Sequence, residues 1–323
     1  MPAISIICPL YNKGNYIEET IRSVQAQSLA DWQMIVVDNG STDDGPELAQ
    51  RLAVMDQRIH LVSSPKRGPG AARNFGLNYA TGNWILFLDA DDLLEQERLH
   101  NMVMRAAEVP ECTVVASPWK EFKDGSAAVE NFTLRQPAGL INKGENLADS
   151  AIGFTCWAVH AAIIKRTWLA THLWPEELDR FLAEDTAFWF RIVLGAHVAY
   201  SSCSGALYRT QTENCRSDYS ADAWFEGNHH AVLSNLEHLR NKKQSVSGGQ
   251  MDTLVRLYFE LHLRARKSPR SEATAKRALQ EAQMWMQRLR ASGTPVRTSM
   301  KLRMLLGLQN FARLQGLTLK YSS

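Results

Sequence analysis

Four short apolar runs, each followed at once by a polar loop and then by a helical pattern, constrain this chain more than any other feature. The runs are Ala3 to Cys8, Gln33 to Val37, Ile59 to Ser63 and Trp84 to Leu88. Helical patterns occupy Tyr16 to Gln27, with Ile17, Ile21 and Val24 at core spacing, then Pro46 to Met55, Gly70 to Tyr79 and Glu95 to Glu108. Strands alternating with helices predict an α/β fold, a mostly parallel central sheet with helices on both faces. Such sheets bind ligands beyond the carboxyl ends of their strands. The loops there read Pro9-Leu10-Tyr11-Asn12, Asp38-Asn39-Gly40-Ser41-Thr42-Asp43, Lys66-Arg67-Gly68-Pro69-Gly70 and Asp89-Ala90-Asp91-Asp92. One rim of the sheet therefore carries the candidate chemistry.

The rest of the chain is less regular. Residues 110 to 215 hold a strand-like run Thr113 to Trp119, a turn at Lys123-Asp124-Gly125, an apolar stretch Phe154 to Ile164 and an amphipathic segment around Glu184 to Leu194. From Asp222 the pattern is helical, and Ala275, Ala278, Leu279, Ala282, Trp285 and Leu289 share one face. Ser247-Gly248-Gly249 and Ser292-Gly293-Thr294-Pro295 are natural breaks. With 45% hydrophobic residues among 323, the chain can bury a sizeable core. Its formal charge of +2 conceals a division. Residues 264 to 323 carry 13 basic and 2 acidic side chains, whereas the preceding 263 residues carry 23 and 32.

Several classes drop out. No apolar run reaches the roughly 18 residues that a spanning helix needs. Met1 to Leu10 has no basic segment ahead of its apolar stretch, so no signal peptide is expected and the chain reads as cytoplasmic. Cys8, Cys112, Cys156, Cys203 and Cys215 are scattered and form no CxxC pair, which predicts reduced thiols rather than a disulfide framework or a zinc site.

Each rim motif has a chemical reading and a plain one. Carboxylates one residue apart, as at Asp89 and Asp91, can converge on Mg2+ or Mn2+ that shares its shell with a diphosphate. The same cluster could be a solvated turn before a helix. Gly68 to Asn74, with Arg67 and Arg73, offers backbone N–H groups and guanidinium forks to a phosphate or ribose at a helix mouth, or is an ordinary helix start. A dinucleotide fingerprint fails, because Arg73 stands where its third glycine belongs. Tyr11 could stack on a base and Asp38 could accept from a ring N–H. Alternatively, Asp38-Asn39-Gly40-Ser41 is an Asx-type turn. Glu184-Asp185 is either the acidic start of a helix or the general base of a transfer.

Taken together and in order, Ile4 to Asn12, Ile35 to Asp43, Gly70 to Gly76, Leu86 to Asp92 and Glu184-Asp185 resemble glycosyltransferase family 2 over about 210 residues. The resemblance implies a GT-A (Rossmann-like) fold, a nucleotide-diphosphate sugar donor, usually a UDP-sugar, a divalent metal and transfer with inversion. It implies that Pro9, Tyr11, Asn12, Asp38, Asn39, Arg67, Arg73, Asp89 and Ala90 face the donor. Asp89 and Asp91 form its DxD, with Asp92 as an alternate metal ligand. Asp185, or else Glu184, is the base. The family commonly has two adjacent acids after the second strand, whereas Asn39 stands second here.

The expected organisation is a catalytic domain over 1–220, with a nucleotide-binding half (1–110) and an acceptor half (111–220), followed by a helical extension over 221–323 that is basic from 264. Processive synthases of the superfamily carry spanning helices and a QxxRW signature, neither of which occurs in the sequence. By analogy, the acceptor is a cell-envelope glycan or glycolipid. Trp119, Phe154, Trp157 and His160 are candidate acceptor platforms or core residues. Residues 297–320, with Arg297, Lys301, Arg303, Arg313 and Lys320 among apolar positions, suit a helix on the cytoplasmic face of an anionic membrane. Packing on the catalytic domain or on a second copy is the rival for that stretch. A non-catalytic binder of nucleotide sugars or nucleic acid is the alternative function. No nucleic-acid partner is expected, since the first 263 residues are net acidic and aromatic and basic residues do not interleave.

Overall fold

The computed structural model describes residues 2–126, 131–141, 146–212, 219–296 and, within 300–311, residues 300, 301, 303, 305, 307, 308, 310 and 311. The first half runs β1 (Ile4–Leu10), α1 (Gly14–Gln25), β2 (Trp32–Asp38), α2 (Gly45–Met55), β3 (Ile59–Ser63), α3 (Pro69–Leu77), β4 (Trp84–Phe87), β5 (Leu93–Leu94) and α4 (Arg98–Glu108). Then come β6 (Val114–Ala116), β7 (Trp119–Lys123), β8 (Phe132–Arg135), α5 (Ala138–Ile141), α6 (Leu147–Ala151), β9 (Ala162–Lys165), α7 (Arg166–Leu169), α8 (Glu184–Val193), β10 (Val198–Tyr200) and β11 (Ala206–Thr210). Three helices follow, α9 (Ala221–Asn241), α10 (Gly248–Ala265) and α11 (Glu272–Ala291).

Seven strands form one sheet in the order β10-β6-β9-β4-β1-β2-β3. All neighbours are parallel except β9, which is antiparallel to β4 and β6. The expected mostly parallel sheet is thus present. Its central strands are buried on both faces, which is why they read as continuous apolar runs. Period-2 alternation divides them between two cores. Ile6, Val36 and Leu86 share a core with Ile17, Ile21, Leu52 and Met102 of α1, α2 and α4. Ile7, Val37 and Phe87 share the other with Phe188 of α8, Leu254 of α10 and Trp285 of α11. A second sheet, β5-β11-β7-β8, abuts the first.

Several boundaries differ from the sequence reading. β1 continues through Pro9 and Leu10, paired with Val37 and Asp38, so the rim begins at Tyr11. Leu93 and Leu94 pair with β11, and α4 therefore starts at Arg98. Thr113 to Trp119 splits between the two sheets, and within Phe154 to Ile164 only the end enters a strand. Asn39, Trp157 and His160 are buried. The last two belong to the core and are not acceptor platforms.

The helical reading after Asp222 holds. Ser247 caps α10 reciprocally with Gln250, and the named α11 face is buried. Cys8, Cys112, Cys156 and Cys203 are free thiols, while Cys215 lies outside the described residues. Among the described residues no helix is long and apolar enough to cross a membrane. Arg297, Arg313 and Lys320 lie outside the described residues. Of that stretch, Met300 and Leu308 are buried, and the Arg303 guanidinium stands 5.3 Å over Phe259 of α10 and 5.5 Å over Phe311. These residues pack on α10, whereas Leu305 is exposed.

Candidate active site

The ends of β1 and β2 build the first part of the site. Tyr11, 54% exposed, presents its ring at the rim, with the Arg67 guanidinium 5.9 Å away. Asn12 adopts a positive φ of 51° and accepts from the Thr42 backbone N–H at 2.8 Å. Asp38 accepts the Ser41 N–H at 2.9 Å, so the Asx-type turn exists. Arg67 donates to the Gly40 carbonyl at 2.6 Å. A Cβ on Gly40, whose φ is +81°, would strike that guanidinium. Asn39 turns inward: Nδ2 donates to the Lys66 carbonyl at 2.7 Å and Oδ1 accepts the Gly68 N–H at 2.7 Å. A carboxylate could make only the second bond. Asn39 therefore clamps the β3–α3 loop and does not face a ligand, which corrects its assignment to the donor site.

The α3 N-terminus is also already filled. Asp179 accepts the Gly70 N–H at 2.8 Å and the Ala71 N–H at 2.9 Å, placing a carboxylate where a helix start favours an anion. Gly68, at φ +122°, leaves the room this carboxylate needs. The phosphate expected at this helix mouth is replaced by a side chain from 109 residues further on. No local pattern marks such a contact.

The turn after β4 meets the start of α8. Arg73, buried on α3, donates to Asp89 at 2.7 Å and lies 3.9 Å from Glu184, with its guanidinium 4.1 Å over the Trp174 ring. Burial alone would lower its pKa, but Asp89, Glu184 and Asp185 reverse that and the net direction is up. Arg73 thus joins the two acidic motifs rather than reaching toward a nucleotide. Ala183, at φ 65°, turns the chain so that Glu184 and Asp185 open α8. Glu184 is buried, and half-buried Asp185 accepts from the Thr155 hydroxyl at 3.2 Å and the Thr186 N–H at 2.9 Å. Burial and then the neighbouring Glu184 raise the Asp185 pKa to about 6.

The three acids after β4 diverge. Asp91 faces the rim, 2.7 Å from the Lys13 ammonium. Asp92 points inward, accepting the Arg209 N–H at 2.8 Å and lying 3.1 Å from His160 Nδ1. Burial pushes the Asp92 pKa well up and that of His160 down to about 4. With its carboxylate buried and turned to Arg209 and His160, Asp92 does not reach the rim, and its alternate assignment as a metal ligand is corrected. Ala90 is buried too and offers its carbonyl to Thr20, so it does not face the donor. Among the described residues no three His, Cys, Asp or Glu side chains are grouped to hold a metal. One or two carboxylates nevertheless suit Mg2+ or Mn2+ when diphosphate and water complete the shell, and Asp91, with Asp89 beside it, fits that use. Lys13, Thr155, Trp174, Asp179 and Thr212 are side chains of this cluster that the motifs did not disclose.

Comparison with known proteins agrees with this layout. The Glycosyl transferase family 2 profile matches residues 5–168, just over half of the chain. An uncharacterised glycosyltransferase of Haemophilus influenzae is 40% identical over 104 residues, 32% of this chain and 42% of that protein. The GalNAc(5)-diNAcBac-PP-undecaprenol beta-1,3-glucosyltransferase of Campylobacter jejuni is 37% identical over 110 residues, 33% of this chain and 36% of that protein. The matched part is thus about two fifths of these relatives' length or less. Among solved structures, S. aureus TarS 1-349 in complex with UDP superposes with a TM-score of 0.61 at 20% identity, covering 97% of this chain and 89% of that one. The mannosyltransferase PcManGT from Pyrobaculum calidifontis, in complex with GDP-Man and Mn2+, gives 0.56 at 20% identity, covering 98% and 84%. At such identities the likeness establishes the GT-A fold alone. The matched span, running from β1 through the Asp89-Ala90-Asp91 turn and β9 into α7, decides the family: the chain belongs to glycosyl transferase family 2.

Proposed function

We propose that the protein transfers a sugar from a nucleotide-diphosphate sugar, a UDP-sugar by preference, to a hydroxyl of a cell-envelope glycan or lipid-linked acceptor, with inversion. The observation that carries this reading is Arg73, which ties Asp89 of the rim turn to the acidic start of α8. A group for holding the donor and a group for taking a proton thereby belong to one network. Tyr11 offers a face on which the base stacks, and Asp38 offers an acceptor for a ring N–H. Asp91, with Asp89, would hold a divalent cation. When bound, that cation supplies positive charge to the leaving diphosphate.

Asp185 takes the proton of the acceptor hydroxyl, whose oxygen forms the new bond to the anomeric carbon. The bond from that carbon to the diphosphate breaks, and its electron pair leaves with the nucleotide. A carboxylate titrating near 6 is ionised at neutral pH yet closer to a useful base than an ordinary Asp. The basic excess after residue 263 supports an anionic membrane surface as the place where the acceptor is met.

Isothermal titration with UDP and GDP, each with and without Mn2+, tests the donor reading. The expected result is binding that tightens with Mn2+, by about tenfold or more for the preferred nucleotide. Failure of both nucleotides to bind in the presence of Mn2+ would contradict it.

A further inference from the structure

Beside the rim turn, one cation of this chain stands where a charge is needed for another purpose. The Lys13 ammonium lies 2.7 Å from Asp91 Oδ2 and donates to the Thr212 hydroxyl at 3.3 Å. Thr212 in turn donates to the same Asp91 oxygen at 3.2 Å, closing a triangle of three side chains. Both ionic side chains are partly buried, at 19% and 18% exposure, so the pair is screened less than a surface one. Asp89 is likewise matched by Arg73, and each carboxylate of the DxD thus has a basic side chain beside it. The two cations differ in freedom. Arg73 is buried against Trp174, whereas Lys13 reaches in from the residue before α1 on a flexible four-carbon stem.

We propose that Lys13 is a positioning residue that holds Asp91 until metal and donor arrive together, and then serves the diphosphate. The inference rests on the proposed function. A divalent cation binds a carboxylate oxygen at about 2.1 Å. With the ammonium 2.7 Å from the same oxygen, the two charges compete for it. Metal entry at this oxygen therefore requires the lysine to turn away, and entry at the other oxygen still meets its repulsion across one carboxylate. A cleft of about 310 Å³ lined by Lys13, Asn12, Tyr16, Thr42 and Asp44 gives the lysine room to turn. A displaced ammonium on this rim is next to the place assigned to the diphosphate, whose oxygens are better partners for it than solvent. The consequence is coupling: metal alone binds weakly, nucleotide alone binds weakly, and each strengthens the other.

The test is Mn2+ uptake, read by the electron paramagnetic resonance of free Mn2+, for wild type, Lys13→Met and Lys13→Arg, each with and without UDP. Lys13→Met should bind Mn2+ without UDP about tenfold more tightly than wild type, because the competing charge is gone. The gain in Mn2+ affinity on adding UDP should shrink in the same variant. Lys13→Arg should keep the wild-type pattern, and Lys13→Gln replaces Lys13→Met should the latter fail to fold. Equal Mn2+ affinity in wild type and the neutral variant, with UDP-dependent uptake intact, would overturn the role of Lys13 alone. Absence of uptake by every protein with UDP present would overturn the metal reading and this inference with it.

Discussion

Asp185→Asn should lower turnover by about 10² to 10⁴ while leaving nucleotide affinity unchanged, the range that a general base contributes. The amide keeps the shape of the side chain, its Oδ1 can still accept the Thr186 N–H and its Nδ2 can donate to the Thr155 hydroxyl, but it cannot take the acceptor proton. Wild-type kcat/KM should accordingly fall about tenfold per pH unit below about 6 and level off above it, since only the ionised form acts. A variant lacking the carboxylate loses that limb of the profile.

The same substitution should stabilise the fold. Asp185 titrates near 6 in the folded chain against an ordinary 3.8, so the folded state binds the proton more tightly. Stability therefore decreases as pH rises from about 4 to 6, and the penalty persists above. For a half-buried group this is worth about 1 to 2 kcal/mol, which the neutral amide removes at pH 8. Higher melting temperature with lost turnover separates a base from a merely structural acid. Unchanged turnover would remove Asp185 from the chemistry.

Arg73→Leu should be the most destabilising single change at the site. The guanidinium is buried between Asp89 and Glu184 and stacks on Trp174. Removing it leaves carboxylates facing one another without a counter-charge, a loss of about 3 to 5 kcal/mol. Because Asp185 also feels this cation, the loss should be smaller at pH 5 than at pH 8, protonation relieving the repulsion. Arg73→Lys should recover part of the stability, since a point charge replaces the fork. Urea midpoints at the two pH values measure both effects. A midpoint that does not move in Arg73→Leu would show that the two acidic motifs are held together by something else.

The fold was legible because its signal is local. Buried parallel strands must be apolar on both faces, so Ile4 to Cys8 and Ile35 to Val37 stand out in any reading, as does each polar turn after them. The placement of Asp91 and Asp185 was legible for the same reason, Asp91 lying in the turn after β4 and Asp185 in the first turn of α8. What escaped was long-range. Asp179 reaches the α3 N-terminus across 109 residues, and Thr212 reaches Asp91 across 121. Asn39 shows the limit from the other side. It reads as a departure from a pair of acids, yet its amide is what the Lys66 carbonyl and Gly68 N–H together require. Asp92 reads like Asp91, and only the pairing of β5 with β11 sends it inward to Arg209 and His160.

The proposed transfer of sugar from a nucleotide donor at this rim depends on Asp91. The most direct measurement is release of nucleoside diphosphate from a panel of UDP- and GDP-sugars, with a polyprenyl-linked glycan as acceptor, by wild type and Asp91→Ala in Mn2+ and in EDTA. Wild type should show Mn2+-dependent release from at least one donor, reduced about a hundredfold or more in EDTA and in Asp91→Ala. Release undiminished by the substitution, or no release from any donor, would contradict it.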